Sequence, residues 1–107
     1  MKNCCKSFTF WGIEIQVSLI KKIPEDWDQE SAAGVSYIQD KKTEIWFKEL
    51  REDLVAHECW HLFMHLLEYV DNKSHYFSEL NSEIYAYDFQ ELVKFVTTII
   101  KELKNEV

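Results

Sequence analysis

The chain is poor in residues that interrupt regular structure. Two glycines and one proline in 107 residues are too few for a linker-rich, collagen-like or disordered polypeptide. No internal repeat and no low-complexity run occurs. Basic residues are in the minority, with 12 Lys and Arg against 19 Asp and Glu, for a net charge of −7. Binding to nucleic acid by phosphate neutralisation needs a basic face, so no nucleic-acid partner is expected. No apolar run approaches the ~20 residues of a membrane span, so no membrane partner is expected either. The cysteines number three. Cys4 and Cys5 are adjacent, which is poor geometry for an ordinary disulfide, and Cys59 lies within a helical pattern. This is no disulfide framework, and it points to a reducing compartment. The first residues contain no apolar h-region of a signal peptide. A cytoplasmic protein is the expectation.

Apolar residues make up 47% of the chain, enough for the core of one domain spanning residues 1–107. From Phe8 to Leu19 they recur at every second position. Phe8 and Phe10 share one parity, while Ile13, Ile15, Val17 and Leu19 share the other. One long strand with a bulge at Trp11-Gly12 accounts for the switch. After Pro24, residues Glu25 to Ala33 are polar and suggest a loop or a short helix. Gly34, Val35, Tyr37 and Ile38, the polar turn Gln39-Asp40-Lys41-Lys42, and the β-branched and aromatic run Thr43 to Phe47 predict a hairpin.

From Lys48 to Tyr69 the period becomes helical, with Leu50, Leu54, Val55, Cys59, Leu62, Phe63, Leu66 and Leu67 at three- and four-residue spacings. A second helix is predicted from Phe77 to Leu103, with Ser78 as a plausible N-cap. Strand, hairpin, helix, helix is an α+β order, with helices packed on a small antiparallel sheet.

The first helix contains His57-Glu58-Cys59-Trp60-His61, an HExxH pattern. Helical positions i and i+4 stand about 6 Å apart along the axis and about 40° apart around it. Two imidazoles so placed can reach one tetrahedral Zn²⁺. Glu58 then lies beside them as the general base for a metal-activated water. Catalytic zinc takes a third protein ligand and keeps a fourth position open. His65 continues the stripe, but it is about 12 Å from His57 along an unbroken helix, so a packed or exposed histidine is the better reading. His75, Glu79, Glu83 and Asp88 remain as candidates. Glu83 is favoured over Glu79 and His75, because small Ala86 one turn along would let the helices approach closely. Tyr85 or Tyr87 could donate a hydrogen bond to a developing oxyanion. Cys59, on an apolar helix face, reads as an inert core thiol.

Asp53 through His61, followed by Glu83-Ile84-Tyr85-Ala86-Tyr87, resembles the small gluzincin-type HExxH metallopeptidases and metallopeptidase-like proteins often encoded by phages and prophages. The resemblance covers roughly residues 34–95. It implies a minimal zincin-like fold, Zn²⁺ as cofactor, and Glu83 as third ligand after His57 and His61. One departure is bulky Trp60 before His61, which narrows the mouth of the pocket. The expected function is zinc-dependent hydrolysis of a peptide or protein, with Glu58 as base and Tyr87 as a candidate catalytic hydroxyl. The outer edge of Thr43–Phe47 would receive the extended peptide. The rival expectation is a zincin-fold binding protein with little or no proteolytic activity.

Overall fold

A computed structural model describes residues 4–20, 32–70 and 79–106, with side chains over 5–20, 32–69 and 83–105. Four strands, β1 (Cys4–Phe10), β2 (Ile13–Leu19), β3 (Ala33–Val35) and β4 (Lys42–Phe47), are followed by two helices, α1 (Glu52–Val70) and α2 (Glu79–Glu106). The architecture is α+β. His75, Ser78 and residues 21–31 lie outside the described residues.

The expected long strand is instead a hairpin. β1 and β2 pair antiparallel, with Phe10 opposite Ile13 and Phe8 opposite Ile15. A two-residue turn pairs even positions with odd ones, so the parity switch marks a reversal of the chain and not a bulge. Trp11 and Gly12 both have positive φ, 54° and 76°, as a type I′ hairpin turn demands. Trp11 is held in this unfavourable region by ring contacts. It stacks on Phe10 with centroids 5.2 Å apart and meets Phe63 at 5.4 Å.

The second hairpin forms as predicted. Ala33 pairs with Phe47, Gly34 with Trp46 and Val35 with Ile45. Gln39 and Lys42 exchange both backbone hydrogen bonds, at 2.9 and 3.0 Å, around Asp40 and Lys41, which again have positive φ.

The sheet order is β1-β2-β4-β3, and β2 runs parallel to β4. The sheet is therefore mixed, not wholly antiparallel. Hydrophobic periodicity reports which face a residue takes, and carries no information on strand direction. One consequence corrects the expectation for Thr43–Phe47. β4 is bonded on both sides, so the outer strand beside it is β3.

α2 packs on β1 and β2, and α1 on β3 and β4. The core between sheet and helices holds Ile13, Ile15, Val17, Ile45 and Phe47 from the strands. Cys59, Leu62, Phe63 and Leu66 enter it from α1, and Leu92, Val96 and Leu103 from α2. Each such side chain removed from water contributes about 1.5–3 kcal/mol. The other face of the sheet is more polar. There the buried Ser18 donates to Glu44 Oε2 at 2.6 Å, and Gln16 Nε2 donates to the same oxygen at 2.9 Å.

Candidate metal centre

The period of α1 determines what it can present. Cys59, Leu62, Phe63, Leu66 and Leu67 are buried, one stripe at helical spacing. His57 and His61 fall on the opposite side and are exposed. Their Nε2 atoms converge to 3.1 Å, with ring planes at 74°. Two nitrogens bound to one tetrahedral ion at about 2.0–2.1 Å lie about 3.3–3.4 Å apart. The pair therefore fits a shared zinc ion with a shift of a few tenths of an ångström. Without metal, one imidazole N–H can donate to the other's ring nitrogen.

Glu58, between them in sequence, is only 9% exposed. Next to it, Cys59 is fully buried. Burial, and secondarily the Glu58 charge, pushes its thiol up to about 12. Cys59 is protonated at neutral pH and belongs to the core, as its position on the apolar stripe predicts.

The helices run antiparallel. Phe63 meets Tyr85 at 6.4 Å and Phe89 at 5.4 Å, and Trp60 meets Phe89 edge-on at 5.6 Å. Glu83 precedes Phe89 by six residues, about 9 Å along α2 from the level of Trp60. Glu83 is exposed, and among the described residues no third His, Cys, Asp or Glu joins His57 and His61. Ala86, the small residue expected to let the helices approach, is itself exposed. Tyr85 and Phe89 make the contact instead, and Trp60 fills the flank of α1 that turns toward α2. The side chain of Glu79 and the whole of His75 lie outside the described residues. Asp88, the remaining candidate, is half-buried and outside any such group. Tyr87 is 66% exposed and makes no hydrogen bond to a described residue.

His65 is placed as the helical spacing requires, away from the imidazole pair. It is half-buried and stacks on Tyr37, with centroids 5.0 Å apart and 21° between planes. Sequence reasoning weighed His65 as a ligand and placed Tyr37 in the hairpin, but did not join them. The partnership depends on how the β3–β4 hairpin sits against α1, which no local pattern encodes.

Among the described residues, no helix is long and apolar enough to cross a membrane. Compared with known proteins, the chain matches no family model, no curated protein and no solved structure.

Proposed function

We propose that the chain is a zinc-dependent hydrolase, with a peptide or protein as substrate, related to the small gluzincin-like HExxH proteins it resembles. The observation that carries this reading is the 3.1 Å convergence of the His57 and His61 Nε2 atoms beside the sparsely exposed Glu58. The third ligand belongs to the N-terminal end of α2 or the segment before it, with Glu83 favoured and Glu79 or His75 as the other donors. Zinc held there would supply a Lewis acid and lower the pKa of bound water toward about 7. Glu58, one residue from His57, would accept a proton from that water and return it to the leaving amine. Tyr87 is the candidate donor toward the oxyanion. A cytoplasmic setting is part of the proposal, supported by the free thiols of Cys5 and Cys59.

The test compares wild type, Glu58→Gln and Glu83→Gln for zinc content and for cleavage of a peptide library. Glu58→Gln keeps zinc and loses cleavage by at least about 100-fold, the range of general-base catalysis. Glu83→Gln loses zinc. A wild type that binds zinc but cuts no peptide supports the second reading, a zincin-fold binding protein. That reading is favoured by one observation, the missing third ligand among the described residues.

A further inference from the structure

Aromatic side chains fill part of the crevice between α1 and α2. Phe63 meets Tyr85 and Phe89 there, and Trp60 meets Phe89. Toward the start of α1 the facing residues become small, with Ala56 on α1 and Val93 and Thr97 on α2. Side chains of that size do not close the crevice, and a cavity of about 400 Å³ is left between the helices. Small-molecule sites span about 300–1,000 Å³, so the volume is that of a ligand pocket.

The cavity is apolar in its depth and cationic at its rim. Buried Ile100 and half-buried Leu50, Val55 and Val93 form its wall. Arg51, Glu52, Lys101 and Lys104 are the charged residues that line it. Arg51 is engaged by Glu49 at 3.6 Å and by Asp53 at 3.3 Å. Lys101 and Lys104 are exposed and three residues apart on one side of α2. Neither enters an ion pair among the described residues. With Glu52 the one acid in the lining, the cavity is a positive locus on a chain of net charge −7.

We propose that this cavity binds a medium-chain fatty acid, its hydrocarbon tail between the helices and its carboxylate at Lys101 and Lys104. A tail laid against Leu50, Val55, Val93 and Ile100 leaves water and covers apolar surface that the fold itself leaves open. The carboxylate accepts charge-assisted hydrogen bonds from the two ammonium groups. A methylene needs about the room of one water, about 30 Å³, so the cavity takes about ten carbons with their head group. A cationic amphiphile would be repelled by the lysines. A wholly polar anion such as phosphate would gain nothing from the apolar wall. A neutral alcohol of the same length would keep the burial and lose the charged contacts. The site uses neither imidazole, so it stands independently of the hydrolytic reading.

The experiment titrates the full chain with decanoate, octanoate and decanol, reading affinity by calorimetry and location by NMR. Decanoate should shift the amides of Ala56, Val93, Thr97 and Lys101. Decanol should bind at least about tenfold more weakly, since it lacks the charged contacts. Octanoate should lose up to about fourfold for each methylene removed. Ala56→Phe, at an exposed position in the lining, should fill the crevice and abolish binding of both ten-carbon probes. The double variant Lys101→Gln and Lys104→Gln, on exposed helix surface, should keep the fold by circular dichroism and bring decanoate down to the affinity of decanol. Equal binding of decanoate and decanol by wild type, shifts confined to other surfaces, or decanoate affinity unchanged in the lysine variant overturns the site. Self-association without decanoate binding, abolished by Ala56→Phe, would assign the crevice to a second copy of the chain and likewise overturn it.

Discussion

The indole of Trp46 lies across Gly34, its cross-strand partner, so closely that a Cβ at position 34 would stand 2.6 Å from Trp46 Cζ2. The missing side chain of one residue is the seat of the other. Trp46 is 8% exposed on the outer face of the sheet, where it packs with Ile20. Gly34→Ala should therefore cost about 1–3 kcal/mol, as overpacking does, because ring or strand must move. Urea unfolding measures it. The smaller side chain of Trp46→Leu in the Gly34→Ala background should recover part of the loss. Additive effects of the two changes would contradict the contact.

Removal of either imidazole should abolish zinc binding at the proposed metal centre. His57→Ala and His61→Ala each take away one of two converging nitrogens, and zinc affinity should fall by more than about 100-fold, exceeding what supporting residues alone contribute. Both positions are exposed, so the metal-free fold should persist. Zinc titration monitored by a competing chelator, with circular dichroism as the control for folding, checks this. Zinc should also raise the melting temperature of wild type by mass action, and a chelator should reverse that rise.

Alkaline pH should destabilise the metal-free protein through Cys59. Its thiol is raised from the ordinary 9.0 to about 12 by burial and then by Glu58. Below pH 9 both folded and unfolded chains hold the proton, and this stabilisation is fully present. Between pH 9 and about 12 the unfolded chain releases it first, so stability falls, by up to about 1.4 kcal/mol per pH unit. Cys59→Ala should flatten that slope. In the native state at pH 8, iodoacetamide should label exposed Cys5 and spare Cys59; equal labelling would contradict the burial.

Lys41→Gly should stabilise the chain. Asp40 and Lys41 both sit at positive φ, 54° and 59°, where a side chain costs about 1–2 kcal/mol that glycine avoids. Glycine's own entropy offsets part of this, leaving a gain of about 0.5–1 kcal/mol. A rise of a few degrees in the melting temperature is expected. An unchanged or lower value would show that the turn is not of the I′ type.

The sequence by itself determined what is local. Within a single helix, backbone geometry sets the separation of i and i+4, so the meeting of His57 with His61 and the exclusion of His65 were legible before any coordinates. The same holds for the core stripe of Leu62, Phe63 and Leu66, the burial of Cys59, and the turn at Gln39–Lys42. The parity change at Trp11-Gly12 was also visible. Its meaning was not, because a bulge and a reversal shift alternation identically, and only the pairing of Phe10 with Ile13 separates them. Tertiary structure alone decided the rest. It put β4 between β2 and β3, placed Trp60 against Phe89, and laid Tyr37 on His65. Each of these is a relation between elements. Such a relation comes from the shapes of many side chains packing at once, and no spacing along one segment contains it.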